Sequence, residues 1–411
     1  MTRSSASRDI PITTLIALGV IGILGPFGTD IYLPALPSMA ADLGTTENSI
    51  RLTLSVFTLG MAAGQLIFGA LSDRYGRRRL MIGGGIVVAL SAFAASGAQS
   101  LSALLLSCLV LGLGSAIGLV TGRAVIADKT SGTQATKYFS LLQMTVSIGP
   151  IVGPVAGALL LAVGDWRLIF VALACFAVLG TVGTLVFVPE SLAPTARQSA
   201  RPAKVLGVMV SVLKHRQYLL FASTMWLGFG MLFSYISSSS FIFQTTLGVS
   251  SQVYAADFAA NGIGLVSATL ITSRLAHRFA AERIILFGLS IQGLSMLTLI
   301  AFAVTHSVGF WTVAICLFLL ATSMGFVLGP STSLAVAPVR FASGTALAMI
   351  GSFQFVSAGI SSSLTAAVSS EPLTGFLIVG SIATVGATST ALVGSRLLRH
   401  NSTQLPPHTK E

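Results

Sequence analysis

Residues 69–79, Gly69-Ala-Leu-Ser-Asp73-Arg74-Tyr-Gly76-Arg77-Arg78-Arg79, form a short charged segment between two long apolar segments. Gly69 and Gly76 permit a close backbone approach and a tight turn. Asp73 and the arginines that follow it can form a compact charged cluster at a membrane surface. The arginines alone would only mark a cytoplasmic loop, but the spacing Gly-x-x-x-Asp-Arg-x-Gly-Arg-Arg is more specific. We interpret it as a conformational latch between two membrane-spanning helices.

The composition of the whole chain agrees with a membrane protein. Of the 411 residues, 54% are hydrophobic and only 9% are charged, and the mean hydropathy is +0.88. A soluble domain carries charge on about a quarter of its residues. The composition therefore excludes a soluble enzyme, a nucleic-acid-binding domain and a disordered protein.

Long apolar runs predict the membrane-spanning helices. A span needs roughly 20 apolar residues, so the chain can hold about twelve of them. The first run lacks a cleavage site with a soluble chain behind it, and we expect it to be a retained helix. The predicted spans are 12–36, 48–71, 79–97, 101–126, 137–162, 167–188, 217–243, 253–275, 284–305, 309–335, 342–368 and 373–395.

The basic residues predict the orientation of these spans. If the N-terminus is cytoplasmic, all of the 23 Lys and Arg residues except Arg51 and Arg167 fall on the cytoplasmic side. By the positive-inside rule, both termini are then cytoplasmic. The net charge of +11 is explained by topology and by contact with anionic membrane lipid, and we expect no nucleic-acid partner.

The chain divides into two halves of six spans each. We predict a cytoplasmic N-terminus (1–11), an N-terminal six-helix bundle (12–188), a cytoplasmic linker (189–216), a C-terminal bundle (217–395) and a cytoplasmic tail (396–411). An offset of 204 residues places Arg74 over Arg278 and Arg79 over Arg283, as expected for a duplicated six-helix unit. The predicted fold class is an all-α membrane protein of twelve transmembrane helices in two bundles, the architecture of an alternating-access transporter.

Catalytic and metal-binding patterns are not found in the sequence. Cys108, Cys175 and Cys316 lie far apart in apolar spans, and the five histidines lie in loops, at span ends or in the tail. No Walker-type phosphate loop occurs. We expect no cofactor, no metal, no enzymatic activity and no use of ATP.

A glycine and proline motif lies within the fifth span. It reads Gly149-Pro150-Ile-Val-Gly153-Pro154-Val-Ala-Gly157. Glycines spaced four apart form one flat stripe against which another helix can pack, and the two prolines bend the helix. From the residues alone, the stripe is either a functional motif or a packing surface without further meaning.

Asp30 is the only acid in the first span. It follows 18 uncharged residues, Ile12 to Thr29, and lies about 27 Å along the helix from its inner end. An intramembrane carboxylate is costly and suggests a proton or ligand site. The alternative is a water-exposed cap at the outer end of the helix, which is also our interpretation of Asp257 in span 8.

Several residues are candidates for a substrate cavity. Span 7 carries Trp226, Phe233 and Tyr235 beside the hydroxyls of Ser237–Ser240, a combination that suits an apolar drug with a few polar groups. Lipid-facing or packing aromatics are the alternative. The polar residues Gln143 and Gln354 in spans 5 and 11 can also reach a central cavity.

The motifs together resemble the major facilitator superfamily over essentially the whole chain. Residues 69–79 resemble its loop signature, and Asp128, in Arg123-Ala-Val-Ile-Ala-Asp128, matches the partner position at the end of the family's helix 4. Residues 149–157 resemble the helix-5 signature of drug/proton antiporters. Asp30 and Tyr32, with Gly64-Gln65-Leu-Ile-Phe-Gly69, look like the bicyclomycin- and chloramphenicol-resistance subfamily. Cys108 and Leu111 stand where that family has Arg and Gln in helix 4.

The resemblance implies proton-coupled efflux of antibiotics across the inner membrane by alternating access. Phenicol-type drugs are the first expectation and bicyclomycin-like drugs the second, carried by a monomer. In that subfamily the acid at the place of Asp30 is implicated in drug recognition and proton coupling. An exporter or importer of a small metabolite on the same fold is the alternative function, and an intramembrane enzyme or receptor is a third.

Overall fold

The computed structural model describes residues 10–130, 132–192 and 202–403. All regular secondary structure in these ranges is helical. The N-terminal set of helices is α1 (Ile12–Asp30), α2 (Leu36–Asp42), α3 (Glu47–Tyr75), α4 (Arg77–Ser96), α5 (Leu101–Lys129), α6 (Gly132–Ser147), α7 (Gly149–Val163) and α8 (Trp166–Phe187). After α9 (Pro202–Leu213), the C-terminal set is α10 (Arg216–Phe241), α11 (Ser251–Leu275), α12 (Ala281–Val304), α13 (Phe310–Val336), α14 (Ser343–Val368) and α15 (Pro372–Thr403).

Eleven helical segments of the described chain are long and apolar enough to cross a membrane. One of them, Phe310–Val368, consists of α13 and α14 joined by a 3-10 turn at Ala337–Ala342. If these two helices are counted separately, the described chain holds the twelve spans that the sequence predicts. The cytoplasmic placement of both termini stays a prediction.

Proline residues explain two differences from the predicted spans. The first span was predicted to reach residue 36, but α1 ends at Asp30. A 3-10 turn containing Pro34 and the short helix α2 follow, since proline lacks the N–H needed to continue an α-helix. The fifth span is divided into α6 and α7, and Pro150 occupies the first turn of α7, where a missing N–H costs nothing.

The linker and the tail also differ from the prediction. The predicted linker 189–216 contains the helix α9, and its residues 193–201 lie outside the described chain. The tail was predicted to begin at residue 396, but α15 continues to Thr403. Leu and Arg, which make up residues 396–399, are good helix formers, so the helix does not end at the membrane surface.

The internal repeat recurs in the positions of the helices. The helix α3 begins at Glu47 and α11 at Ser251, while α4 begins at Arg77 and α12 at Ala281. Both separations equal the offset of 204 residues found in the sequence. We propose that α1–α8 and α10–α15 are the two predicted bundles.

The two sets of helices meet along two seams, where α3 packs on α14 and α7 packs on α11. At the predicted outer side, Gln244 Nε2 donates to the backbone oxygen of Pro34 at 3.0 Å. Asn48 Nδ2 donates to the backbone oxygen of Ser369 at 3.2 Å. The two sets are therefore in direct contact at the predicted outer side.

Candidate functional site

Asp30 is the last residue of α1 and is buried, with 4% of its surface exposed. The hydroxyl of Thr29 donates a hydrogen bond to Asp30 Oδ1 at 3.0 Å. Because so little of Asp30 is exposed, the alternative of a water-exposed helix cap does not hold in this structure. Asp30 is a carboxyl group enclosed by protein.

The glycine stripe of α7 packs against the end of α1 that carries this acid. A Cβ built at Gly149 would lie 3.1 Å from Pro26, and one built at Gly153 would lie 3.1 Å from the Cβ of Asp30. A Cβ at Gly157 would collide with the backbone oxygen of Ile31. Pro154 is buried within α7, and Pro150 is half-buried in its first turn. The stripe is a packing surface, and the residues packed on it are Asp30 and its neighbours.

Tyrosines of the C-terminal set approach Asp30 from the other side. Tyr235 and Tyr254 are close enough to Asp30 to interact with it electrostatically. The hydroxyl of Tyr235 accepts a hydrogen bond from Asn261 Nδ2 at 2.6 Å, and the same Nδ2 donates to Asp257 Oδ2 at 3.1 Å. Hydrogen bonds therefore link α10 to α11, and Asp30 of α1 lies within electrostatic range of the two tyrosines.

Asp257 was interpreted as a water-exposed cap, and the structure corrects this. It is half-buried and accepts the hydrogen bond from Asn261. Sequence analysis did not single out Asn261. The available signal was its spacing of four residues from Asp257, which places both side chains on one face of a helix.

Tyr32 lies in the N-terminal set near Cys108, which stands where the family has a basic residue. Its ring stacks on Phe170, with the ring centroids 5.4 Å apart. Buried Cys108 and Asp30 both interact with Tyr32 electrostatically. An uncharged thiol therefore occupies the place of the family's arginine beside Tyr32.

Aromatic side chains of α10 pack against aromatic side chains of α14. The Trp226 ring centroid lies 5.1 Å from that of Phe353, and its Nε1 donates to the backbone oxygen of Ile350 at 3.2 Å. Phe229 lies 5.1 Å from Phe233 and 5.6 Å from Phe355. The sequence analysis missed the two phenylalanines of α14, whose signal was their position on either side of half-buried Gln354.

The serines of α10 do not line this cluster with free hydroxyls. Ser237, Ser238, Ser239 and Ser240 are fully buried. Ser239 shares a hydrogen bond with the Tyr254 hydroxyl at 2.9 Å. The expectation that these hydroxyls offer polar contacts to a drug is therefore not met in this conformation.

Gln143 lies on α6 and is exposed. Its Oε1 accepts a hydrogen bond from Arg123 of α5 at 3.4 Å. Arg123 was assigned to a cytoplasmic segment from the sequence, but it lies inside a membrane-spanning helix that continues to Lys129. The cytoplasmic side stays a prediction, and the structure places Arg123 six residues before the end of α5.

The charged segment at residues 69–79 joins the ends of three helices at the predicted cytoplasmic side. Gly76 separates α3 from α4 with a φ of 95°, a conformation that favours glycine. Arg77 Nε lies 3.1 Å from Asp128 Oδ2 at the end of α5. The backbone N–H of Arg77 donates to Glu190 Oε1 at 2.9 Å. A carboxylate at the start of a helix is favourable because it satisfies a free N–H and the helix dipole.

Other residues of this segment have smaller roles in the structure. Arg78 donates to the backbone oxygen of Leu185 at 2.5 Å, and the Arg74 guanidinium lies 5.3 Å from the Tyr75 ring centroid. Gly69 lies near Val120. The side chain of Asp73 lies outside the described part of the structure. Sequence analysis missed Glu190 and Ser191, whose hydroxyl donates to Asp128 Oδ2 at 2.7 Å.

Known proteins share both the sequence pattern and the fold of this chain. A "Bicyclomycin resistance protein homolog" of Haemophilus influenzae is 28% identical over 86% of this chain and 89% of that protein. A "Chloramphenicol resistance protein" of Pseudomonas aeruginosa is 27% identical over 79% of this chain and 75% of that protein. The inward-facing, occupied structure of a bacterial homologue of the human lysosomal transporter Spinster has a TM-score of 0.77 at 14% identity, covering 98% of this chain and 100% of that chain.

The family model described as Major Facilitator Superfamily matches residues 18–362. The match spans the glycine stripe of α7, the Asp30 region and the charged segment at residues 69–79. Members of this family transport small molecules across membranes and are not enzymes. This chain belongs to the major facilitator superfamily and is a multi-pass transporter of the inner (plasma) membrane.

Proposed function

We propose that this transporter exports antibiotics from the cytoplasm in exchange for protons. Phenicol-type drugs are the leading cargo and bicyclomycin-like drugs the second. The names of the two resistance proteins that are 28% and 27% identical to this chain support this proposal. The partners are then the drug, protons and membrane lipid, and a monomer suffices because one chain supplies both sets of helices.

The observation that carries the proposal is the contact between Asp30 and the glycine stripe of α7. The same helix also packs on the C-terminal set, since a Cβ at Gly262 of α11 would lie 2.9 Å from Ile151 of α7. One helix therefore touches both the buried acid and the opposite set of helices. A change in the charge of Asp30 can therefore affect the interface between the two sets of helices, which must open and close during transport.

Protonation of Asp30 would act on that interface in two ways. It removes a negative charge that faces Tyr235 and Tyr254 across the interface, and it converts the carboxylate from an acceptor into a group that can also donate. Both changes stabilise one of the two transport conformations, inward-facing or outward-facing, more than the other. A bound proton can shift the equilibrium between them only through such a difference in interaction energy.

The energy available from one proton is sufficient for export. Exchange of a neutral drug for one proton moves a charge inward, which yields about 2.3 kcal/mol per 100 mV of membrane potential. Each unit of pH gradient adds about 1.4 kcal/mol. At about 150 mV and one pH unit, the sum is about 5 kcal/mol and supports a drug gradient of a few thousandfold.

The aromatic cluster of α10 and α14 supplies the apolar part of a drug site. Trp226, Phe229 and Phe233 contact one another or the phenylalanines of α14. Aromatic walls with a few polar groups are typical of small-molecule sites. The half-buried Gln354 between these phenylalanines is our candidate for one of the polar groups.

The test is drug uptake into inverted membrane vesicles that contain the protein, with a respiratory substrate to energise them. We expect chloramphenicol to accumulate above its outside concentration, and a protonophore to abolish the accumulation. Bicyclomycin is the second drug in the same assay. Accumulation that persists with the protonophore would contradict proton coupling, and absence of accumulation of both drugs would contradict the proposed cargo.

A further inference from the structure

Arg123 is a cation held within a membrane-spanning helix. It lies six residues before Lys129, the end of α5, and therefore about 9 Å inside the helix. Its side chain is exposed, and its guanidinium donates to Gln143 Oε1 of the neighbouring helix α6 at 3.4 Å. An exposed side chain that bonds to a neighbouring helix lies in a cleft between the two helices, here α5 and α6.

The charge of Arg123 is not matched by a carboxylate. Within the part of the chain that the structure describes, Arg77 pairs with Asp128 and Arg167 pairs with Asp42, whereas the recorded partner of Arg123 is the amide of Gln143. A charged residue inside the membrane is expensive and is usually paired or functional. The neutral partner leaves most of the guanidinium donors available.

The helix α6 presents a polar face at the same place. Ser140 and Gln143 are exposed, and Ser147 is half-buried. At 100° per residue these three side chains fall within about 60° of one another, beside the exposed Met144. Tyr138 and Leu142 on the other side of the helix are buried. Exposed polar residues on one face of an apolar helix indicate a water-filled cavity rather than lipid.

We infer that Arg123, together with Gln143, is a cargo-anchoring site for a carboxylate or another planar two-oxygen acceptor such as a nitro group. The guanidinium presents parallel N–H donors that match such a group with two hydrogen bonds. The Gln143 amide accepts from Arg123 through Oε1, so its NH₂ group is left to donate to the same cargo oxygens. This inference rests on the proposed function in that the cargo must enter this cavity.

The anchoring site is separate from the proposed proton site. Gln143 lies on α6, whereas Gly153, the residue packed on Asp30, lies on α7. The two sites are therefore built on different helices. One residue would then bind the cargo while the other binds the proton.

The experiment is a fluorescence titration of the purified full-length protein in lipid nanodiscs with dansylglycine and with dansylglycine methyl ester. The two probes differ only in the carboxylate. We expect the wild type to bind the acid at least about tenfold more tightly than the ester, as a charge-assisted hydrogen-bonded pair requires. In Arg123→Gln this preference should disappear, with the affinity for the ester changed less than about threefold.

Two further variants serve as controls. Arg123→Lys keeps the charge but loses the fork of donors, and it should retain part of the preference. Arg278→Gln removes an equal charge from an exposed loop position and should retain all of it. Thermal unfolding of each variant checks that it is folded, and the wild-type preference stands as a test even if Arg123→Gln does not fold.

The inference is overturned if the wild type does not prefer the acid, including the case in which neither probe binds. It is also overturned if folded Arg123→Gln keeps the preference. Chloramphenicol export is measured separately in energised vesicles. Preference for the acid without chloramphenicol export would contradict the proposed cargo and leave the anchoring site intact. Chloramphenicol export without preference for the acid would contradict the anchoring site alone.

Discussion

Gly153 of α7 lies directly against Asp30 of α1, so that a Cβ on the glycine would stand 3.1 Å from the Cβ of the acid. The backbone of Ile31 is also within 3.3 Å of that Cβ position. The glycine motif and the intramembrane acid, which are far apart in the sequence, therefore form one contact. Any side chain introduced at position 153 acts first on Asp30 and on the backbone that follows it.

We predict that Gly153→Leu abolishes proton-driven export. The added side chain must displace the end of α1, and overpacking of a tight helix pair typically costs about 1–3 kcal/mol. The measurement is drug uptake into energised inverted vesicles at matched protein levels. Gly293→Leu is the control, because nothing lies within 4 Å of a Cβ at Gly293. Wild-type rates in Gly153→Leu would show that the contact has no role in transport.

We predict that Gly157→Ala destabilises the protein by about 1–3 kcal/mol. Its Cβ would collide with the backbone oxygen of Ile31, and a backbone atom cannot move aside as a flexible side chain can. Gly83→Ala, with open space around its Cβ, should be neutral or slightly stabilising, since Ala favours helix over Gly. Thermal unfolding in detergent compares the two. Equal melting temperatures would show that α7 and α1 separate more easily than this packing implies.

Hydropathy and charge predicted the helices well because the membrane imposes both on the sequence. A span must be apolar over its whole length, so its ends can be read from the chain itself. Contacts between helices that are far apart in the sequence produce no such pattern. Nothing in the sequence near Gly153 indicates that its neighbour is Asp30, and nothing near Arg77 indicates Glu190.

Contacts between residues of the same helix can in principle be predicted from the sequence, and some of them were missed. The spacing of Asp257 and Asn261 places them on one face of α11, but the sequence does not show that Tyr235 of α10 completes the network. Arg123 was predicted to lie on the cytoplasmic side, and its position within α5 depends on where that helix ends. Helix ends are the least certain feature of a sequence-based assignment.

We predict that Arg77→Gln lowers the rate of transport about tenfold, equivalent to about 1.4 kcal/mol in the barrier, while drug binding persists. Arg77 connects the start of α4 to Asp128 and Glu190, and the drug site lies elsewhere. Arg79→Gln is the matched control, since Arg79 is exposed in the same turn of α4. Transport rates and binding affinities are measured on both variants. Equal rates for the two would remove the special role given to Arg77.

We predict that Asn261→Leu and Tyr235→Phe each reduce proton-driven export several-fold, and that their effects are not additive. Both changes break the same hydrogen bond of 2.6 Å, and residues in one network couple by about 0.5–3 kcal/mol. The measurement is the export rate of the two single variants and of the double variant. Strictly additive effects would show that the two residues act independently of each other.

We predict that Asp30→Asn abolishes accumulation of drug against a gradient while drug binding and downhill movement persist. Asparagine keeps the size of the side chain, and its Oδ1 can still accept the hydrogen bond from Thr29. It does not titrate, so no proton can be carried inward with the membrane potential and the pH gradient. Efflux is measured with and without an imposed proton gradient.

Two other acids decide whether this role belongs to Asp30. Asp42→Asn makes the same chemical change at the end of α2, where Asp42 pairs with Arg167 at the predicted outer side, and it should leave proton-driven export intact. Asp257→Asn tests the acid at the far end of the Tyr235–Asn261 network, and a partial loss there would show that the two acids share the proton. Cys108 stands beside Tyr32 where the resemblance places a basic residue, and the hydrogen-bond partner of Asp30 within the described chain is Thr29. Proton-driven export by Asp30→Asn at near the wild-type rate would overturn the assignment of Asp30 as the coupling acid.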